Sequence, residues 1–291
     1  MPVKKRLISQ LAVSTVAMLL LIVGAVWLFG PVPEVKGNYD IAKTIRYSFQ
    51  VTNNSSQHID AASFSVFAPV KQNAFQMTGM LRANLPFTLD ADQSGNQALV
   101  FELKNLAPFA SQVVNITARV NLASTPQPFG PNPDSLLGEE EGIETSAPEI
   151  NVLAERLAGH PEQINSWLYS NITDIGYVME DRGARYAVTE KRGDCTEFAS
   201  AFVALARASN IPARMIGGFT VSHSGRLRAE NYHNWAEFRR HKRWNIADPQ
   251  NNNFDSNYGS YIAFYNFDQH SRLENSQRFL AYDRRLSVQM N

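Results

Sequence analysis

The sequence predicts a mixed α+β protein with an N-terminal transmembrane helix, an antiparallel β-sandwich and a C-terminal α+β domain. Three observations lead to this prediction. An uncharged apolar segment opens the chain, polar and apolar residues alternate through residues 38–122, and apolar residues at helical spacing begin near residue 149. The chain has 291 residues, which is enough for one large domain or two smaller ones.

Composition excludes several classes of function. The formal net charge is zero, so there is no basic excess to support binding to nucleic acid. A single cysteine excludes an intramolecular disulfide and a cysteine-rich zinc site. Residues 90–95 imitate the start of a calcium loop, but its twelfth position is Phe101 where the loop needs Glu. We therefore predict a hairpin turn around residues 94–96. No metal or other cofactor is predicted.

Residues 1–30 are predicted to form a signal anchor that crosses a membrane. The basic residues 4–6 precede an uncharged stretch that is long enough for a membrane-spanning helix. Positive charge on that side predicts a cytoplasmic N-terminus, so the rest of the chain is expected on the periplasmic side of a bacterial inner membrane. The alternative is a cleaved signal peptide, although residues 24–27 form a poor cleavage site.

Residues 38–122 have the period-two pattern of half-buried strands. Four segments show it clearly: 45–52, 64–67, 99–103 and 113–120. Short strands separated by polar turns predict an antiparallel β-sandwich. Nothing in this region indicates chemistry, so we assign it a spacer or docking role. Residues 123–148, rich in proline and acidic residues, are predicted to be a linker.

Helices open the C-terminal domain, which is predicted to span residues 149–291. Ser146 and Glu149 have the spacing of a capping box, and the apolar residues that follow share one helical face. A second helix is predicted from about Pro161 to Ile172. Trp167 lies in its apolar stripe, where a core role is the simpler interpretation.

The only cysteine lies where a turn leads into an apolar, alanine-rich helix. Asp194 suits the N-cap position, which places Cys195 in the first helical turn. Unpaired N–H groups and the helix dipole favour a thiolate there, and the same N–H groups suit an oxyanion hole. Gly193 would let a substrate approach the backbone. A buried structural cysteine is the alternative, against which the helix-start position argues.

A candidate base and a carboxylate follow on a predicted hairpin. A loop formed by Arg240 and His241 would place His233 directly opposite Asp248, about 5 Å away. A different turn would offset the pair by one position, and the sequence leaves this register open. His223 is the rival base, but no paired strand orients the Ser/Gly loop that carries it.

Several short motifs between residues 146 and 249 form a specific combination. They are Trp167 with Asn171 and Ile172; Gly193, Asp194 and Cys195; residues 204–208; residues 211–214; His233, Trp235 and Glu237; and Asp248 with Pro249. Together they resemble the transglutaminase-like superfamily, over about half of the chain. The preceding sandwich is also similar to that of bacterial members.

The resemblance implies a papain-like α+β domain with Cys195, His233 and Asp248 as its catalytic triad. Asn234 departs from the family, in which alanine is common at that position. Some members complete the oxyanion hole with an upstream aromatic residue.

Four further residues are candidates for the oxyanion hole or the substrate groove: Trp167, Tyr186, Asp194 and Trp235. Either Tyr186 or Trp167 would supply the upstream aromatic, and the sequence does not choose between them.

We therefore expect an exported, membrane-anchored thiol enzyme that acts on an amide or peptide carbonyl. Cys195 would form a thioester that water or an amine then resolves. Members outside animals are often proteases or amidases, which favours hydrolysis over acyl transfer. The expected partner is a protein or peptide substrate in the cell envelope. The alternative is a non-catalytic envelope scaffold or assembly factor that uses the groove to bind a protein.

Overall fold

A computed structural model describes residues 37–267 and 278–291. The described residues belong to one compact unit that begins at Gly37. The predicted membrane anchor, residues 1–30, lies outside them. Within the part of the chain that is described, no helix is both long enough and apolar enough to cross a bilayer.

The first part of the chain is all strand. Its strands are β1 (Ile41–Asn53), β2 (Ile59–Ala68), β3 (Gln76–Ala83), β4 (Thr88–Ala91), β5 (Gln97–Leu106) and β6 (Ser111–Leu122). One sheet has the order β1-β6-β3 and the other β2-β5-β4, with all of these pairs antiparallel. Alternate side chains point into one shared core, where the rings of Phe49 and Phe64 lie 5.9 Å apart. Residues 92–96 form the predicted turn between β4 and β5.

Helices and a second group of strands follow. They are α1 (Pro148–Arg156), α2 (Pro161–Asn171), β7 (Thr173–Asp174), α3 (Gly183–Glu190), β8 (Arg192–Gly193), α4 (Cys195–Ala208), β9 (Ala213–Thr220), β10 (Gly225–Arg226), β11 (Tyr232–Arg240), β12 (Arg243–Asp248), β13 (Asn253–Phe254), β14 (Tyr261–Asn266), β15 (Phe279–Ala281) and β16 (Leu286–Met290). A five-stranded antiparallel sheet has the order β13-β12-β11-β9-β14. The protein is thus a strand-rich α+β fold.

The helix α4 is covered on every side. Its residues from Thr196 to Arg207 are all buried, which explains why its sequence is apolar around the whole helix rather than along one stripe. On one side it packs against the five-stranded sheet, where the rings of Phe202 and Phe238 lie 5.4 Å apart. Its many alanines allow α1, α2 and α3 to approach it closely.

The capping box predicted for α1 is wrong. The N-cap is Ala147, which makes no side-chain cap, and Pro148 takes the first helical position. Proline suits that position because its missing N–H would have no intrahelical partner there. Ser146 instead hydrogen-bonds the carboxylate of Glu139, in the segment before the helix.

The proline-rich segment 123–148 packs against the helices through Ile143 and against the five-stranded sheet through Leu136. Ile143 and Leu136 are buried, and Glu140 pairs with the buried guanidinium of Arg207 at 2.8 Å. Arg207 also donates to the carbonyl of Gly138 at 2.7 Å. One acidic residue of this segment is therefore part of the interior and not only solvated.

Three later strands complete the sandwich sheets. The strands β10 and β16 both pair with β1, and β15 pairs with β2. Without them, β1 and β2 would each present an open edge of N–H and C=O groups. The chain from residue 149 onward, predicted as one domain, thus also contributes strands to the sandwich.

Candidate active site

Cys195 is the first residue of α4, directly after the predicted N-cap. Asp194 accepts hydrogen bonds at its Oδ1 from the N–H of Thr196, at 2.9 Å. Glu197 Oε2 accepts in turn from the N–H of Asp194, also at 2.9 Å, which completes a capping box. The N-cap prediction for Asp194 is confirmed. Both carboxylates are buried, so the backbone around the thiol is held rigidly.

Gly193 has an internal role in this turn. A Cβ at Gly193 would lie 2.4 Å from the Cβ of Glu197, closer than real side chains come. From the sequence, this glycine is predicted to let a substrate approach the backbone. The structure shows instead that it makes room for the glutamate of the capping box.

His233 and Asp248 form a buried pair. Nε2 of His233 lies 2.8 Å from Oδ2 of Asp248. Asp248 is fully buried, and its Oδ2 also accepts from Asn251 Nδ2 at 2.8 Å and from Tyr261 Oη at 2.9 Å. Burial raises the pKa of Asp248, but the hydrogen bond and charge of His233 outweigh it, so the net pKa is lowered. The carboxylate is therefore held ionised beside the imidazole.

The hairpin that carries this pair has a different loop from the one considered in the sequence. Arg240 pairs with Arg243, so His241 and Lys242 form the two-residue loop. Both have positive φ, at 51° and 62°, as a type I′ turn requires. If this register is continued along both strands, the residue opposite His233 is Gln250, so Asp248 lies two residues away from that position. An even offset keeps both side chains on one face, so they still meet.

The thiol completes the group. Cys195 and His233 line the same cavity, and Asp248 contacts the imidazole at Nε2. Burial lowers the pKa of His233, but the hydrogen bond and charge of Asp248, together with the neighbouring Cys195, outweigh burial and raise the pKa to about 10. The structure thus brings together the three residues that the sequence analysis placed in a triad. The rival His223 is exposed and hydrogen-bonds Ser222 at 2.8 Å, in the loop before β10.

Asn251 and Tyr261 are contributors that the sequence analysis did not identify. The N–H of Asn251 approaches Asp248 Oδ1 at 3.3 Å, in a turn closed by the aspartate side chain. An aspartate, a proline and an asparagine within four residues is a recognisable signal for such a turn. Tyr261 is far along the chain, at the start of β14, and no local pattern connects it with Asp248.

A cavity of about 790 Å³ opens beside the thiol and the imidazole. Cys195, His233 and Asp194 are among its lining residues. The other three groove candidates do not line it. Trp235 is buried, with its ring stacked beside His233 at 6.4 Å. Trp167 packs against the helices, under the guanidinium of Arg156.

Tyr186, the remaining candidate, is engaged away from the cavity. It lies on α3, and its ring packs against the guanidinium of Arg182 at 4.4 Å. Its hydroxyl accepts a hydrogen bond from Arg182 Nη1 at 2.9 Å. Neither Tyr186 nor Trp167 lines the cavity, so neither is identified as the second donor of the oxyanion hole.

One side of the cavity is formed by residues 174–182, here called the wall segment. The N–H of Val178 donates to Asp194 Oδ2 and that of Arg182 donates to Glu197 Oε1, each at 2.9 Å. The two carboxylates that cap α4 thus also hold this segment. Tyr177 and Met179 expose 83% and 87% of their surface, which leaves apolar side chains available at the rim.

Comparison with known proteins gives a match of part of the chain to a family model, and a solved structure of similar fold. Residues 145–249 match the family model described as the transglutaminase-like superfamily. No curated protein sequence matches the chain. A proposed cysteine protease from Cytophaga hutchinsonii has a similar fold, with a TM-score of 0.55 at 16% identity, over 86% of this chain and 92% of that one. The periplasmic domain of TgpA from Pseudomonas aeruginosa aligns with a TM-score of 0.37 at 13% identity, over 74% and 90%.

Proposed function

We propose that the part of the chain around residues 145–249, which matches the transglutaminase-like family model, is a thiol enzyme acting on an amide or peptide carbonyl. The observation that carries this proposal is the hydrogen-bonded pair of His233 and Asp248, with Cys195 and His233 lining the same large cavity. A nucleophile, a base and a group that orients the base are the parts that acyl transfer through a thioester requires.

The order of steps follows from the contacts. His233 Nε2 is taken by Asp248, so the other ring nitrogen is left to remove the thiol proton. The thiolate of Cys195 then attacks the carbonyl carbon and the C=O becomes an oxyanion. When the C–N bond breaks, the imidazolium gives its proton to the leaving amine and a thioester remains. Water or a second amine next attacks the thioester and gives its proton to His233, and the C–S bond breaks to release Cys195 as a thiolate beside the imidazolium.

The oxyanion faces the start of α4. Among the residues described, nothing accepts a hydrogen bond from the N–H of Cys195, while the N–H of Thr196 is taken by Asp194. A free N–H one peptide from the reacting sulfur is in the position that an oxyanion-hole donor needs. The helix dipole adds positive potential at the same point.

Hydrolysis is the favoured outcome, with a protein or peptide of the cell envelope as substrate. The basic residues 4–6 and the apolar stretch to residue 30 support anchoring in a bacterial inner membrane, with the active site on the periplasmic side. A reporter fused after residue 291 tests this arrangement. Alkaline phosphatase should be active there, and β-galactosidase activity instead would contradict it.

Two measurements test the chemistry. First, the purified chain should cleave members of a peptide library, and Cys195→Ala should abolish the cleavage. Second, iodoacetamide should label Cys195 rapidly near neutral pH, and His233→Ala should slow the labelling. Slow labelling in the wild type, unaffected by His233→Ala, would favour a scaffold that uses the cavity to bind a protein partner.

A further inference from the structure

The cavity beside Cys195 is lined by more carboxylates than cations. Asp174 and Asp181 come from the wall segment, and Asp194 comes from the turn before α4. Glu230 lines the cavity from the turn before β11 and pairs with Arg228 at 3.4 Å. Arg278 is the one lysine or arginine among the lining residues that are described. Four carboxylates thus line the cavity against two cationic groups, Arg278 and the imidazolium of His233, so the described lining is acidic.

The three aspartates have no ionic partner within the described residues. Asp174 accepts from the N–H of Gly176 and Asp194 from those of Val178 and Thr196, all at 2.9 Å. Hydrogen bonds from backbone N–H groups satisfy the carboxylate oxygens but do not neutralise their negative charge.

The nearby arginines are engaged with other groups. Arg182 pairs with Glu197 at 3.0 Å. Arg278 lies over the ring of Tyr232 and donates to the carbonyl of Ala229. The negative charges of the neighbouring aspartates therefore repel one another. Partial burial raises the pKa of Asp181, and the charges of Asp194 and Glu197 raise it further.

A second observation points to a ligand with N–H donors. Asn234 lines the same cavity and is only 3% exposed. Its Nδ2 donates to Thr196 Oγ1 at 2.9 Å, but its Oδ1 has no hydrogen-bond partner within the described residues. Buried oxygens in folded proteins are nearly always satisfied, so an orphaned one at a binding cavity is suited to a donor from the ligand. Carboxylates and an amide oxygen together favour a cation that carries N–H groups.

We propose that the wall segment forms a subsite for a positively charged ammonium or guanidinium group of the substrate, with Asp174 and Asp181 as its counter-charges. On a polypeptide this group is a lysine or arginine side chain close to the bond that Cys195 attacks. Asp194 contributes charge while it caps α4. The rim residues Tyr177 and Met179 would cover the apolar stem of such a side chain. This inference rests on the proposed function, because it takes Cys195 as the reacting group.

The first test needs no catalysis, because the chain has one cysteine and every thiol reagent reports on it. Cys195 of the full chain is modified with a methanethiosulfonate that carries a trimethylammonium group and with one that carries a sulfonate. The measured quantity is the rate of modification by the cationic reagent divided by the rate for the anionic reagent. In an acidic cleft this ratio should be roughly 10-fold higher for Cys195 than for the thiol of free glutathione. The double variant Asp174→Asn with Asp181→Asn should lose most of this excess. Salt should also reduce it.

The matched control is Glu162→Gln, which removes an exposed carboxylate on α2 and should leave the ratio unchanged. A wild-type ratio equal to that of glutathione would overturn the inference. So would an excess that survives in the double variant, since the charge would then come from elsewhere.

The second test measures binding to the full-length Cys195→Ala chain by calorimetry. Peptides that differ only in one lysine or glutamine are compared, with methylammonium as a competitor that lacks a polypeptide. The lysine peptide should bind roughly 10-fold more tightly, and the advantage should disappear in the double aspartate variant. Equal binding of the two peptides would overturn the inference. Competition by millimolar methylammonium as strong as by the peptide would point to a free amine and would overturn the polypeptide assignment.

The two proposals fail separately. If no peptide is cleaved and the thiol labels slowly, the enzymatic function fails, whatever the charge ratio. If peptides are cleaved through Cys195 but the ratio matches that of glutathione, only the cationic subsite fails.

Discussion

One carboxylate oxygen organises the candidate triad at the level of single residues. Oδ2 of Asp248 lies within hydrogen-bonding distance of His233, Asn251 and Tyr261, at 2.8, 2.8 and 2.9 Å. Three donors around one buried oxygen hold it in place and stabilise its negative charge. The oxygen is thereby fixed for orienting the imidazole, which in turn contacts the thiol.

Asp248→Asn should therefore slow the labelling of Cys195 by iodoacetamide by roughly 10-fold or more, because the charge that stabilises the imidazolium is lost. An amide that keeps its oxygen at the position of Oδ2 turns its NH₂ toward the N–H of Asn251, which donates to Oδ1 in the wild type. Tyr261→Phe removes one donor but keeps the charge, so it should have the smaller effect. Labelling rates near pH 7 measure both. Equal effects of the two substitutions would mean that the charge of Asp248 does not act on the thiol.

The pH dependence of stability follows from the same pair. The pKa of His233 rises from 6.5 to about 10 on folding, so the folded state binds its proton more tightly. The stability that this proton contributes is complete below about pH 6.5 and is lost as the pH rises through about 10. The free energy of unfolding should thus fall across this interval, by roughly a few kcal/mol.

Urea denaturation at a series of pH values measures this fall, and His233→Gln should flatten it. A slope of the same size in His233→Gln would assign the effect to other groups. The pKa of Asp248 is lowered on folding, so its contribution has the opposite sign. That stability is present above about pH 4 and is lost as the pH falls further.

The sequence could predict the types of these residues but not all of their partners. Cysteine at a helix start and histidine and aspartate on a hairpin are local patterns. The loop was placed one residue too early, because Arg240, His241 and Lys242 are all polar and none is glycine. The bond from Tyr261 depends on how β14 pairs with β9, which no local pattern records.

At the level of elements, the start of α4 and the wall segment behave as one structure. Glu197 accepts hydrogen bonds from the N–H groups of Asp194 and Arg182, and it pairs with the Arg182 guanidinium at 3.0 Å. Its side chain is almost fully buried, whereas that of Arg182 is partly exposed. One carboxylate therefore joins the helix that carries the thiol to the segment that borders the cavity.

Glu197→Ala should lower the free energy of unfolding by about 3 kcal/mol, since it removes a cap and leaves a charged partner unpaired. It should also increase hydrogen exchange at the N–H of Arg182, which loses its acceptor. Urea denaturation and exchange measured by NMR test the two effects. Glu162→Ala, at an exposed site on α2, should change neither. Unchanged exchange at Arg182 would show that the wall segment is held by other contacts.

Over the described residues, the sandwich and the C-terminal α+β part share a core. Phe264 on β14 lies 5.5 Å from Tyr47 on β1 and 5.0 Å from Phe219 on β9, so one ring contacts both parts. Polar contacts cross as well: Asn73 donates to Glu237 at 3.3 Å and Gln76 to the carbonyl of Ala263 at 3.0 Å.

Chain order separates these parts, and this is why the sequence analysis described them as domains joined by a linker. Residues 38–122 and 149–291 each have a clear pattern of their own. The pairing of Gln50 with Gln289 connects positions at opposite ends of the described chain. Strands this distant in the chain pair because one of them covers the open edge of a sheet that the other forms. The residue pattern within a single segment does not show which edge it will cover.

We expect residues 37–291 to unfold in a single transition, because apolar contacts and strand pairs join the two parts. Calorimetry of the full chain should give one peak whose van't Hoff and calorimetric enthalpies agree. Phe264→Ala should lower the temperature of that peak without splitting it, at a cost of about 3–5 kcal/mol for a large buried ring. As a control, Phe109→Ala changes a ring that is 68% exposed and should have little effect. Two peaks in the wild type would mean that the shared core is too weak to couple the parts. The sandwich would then be a separate domain, as its sequence pattern alone suggests.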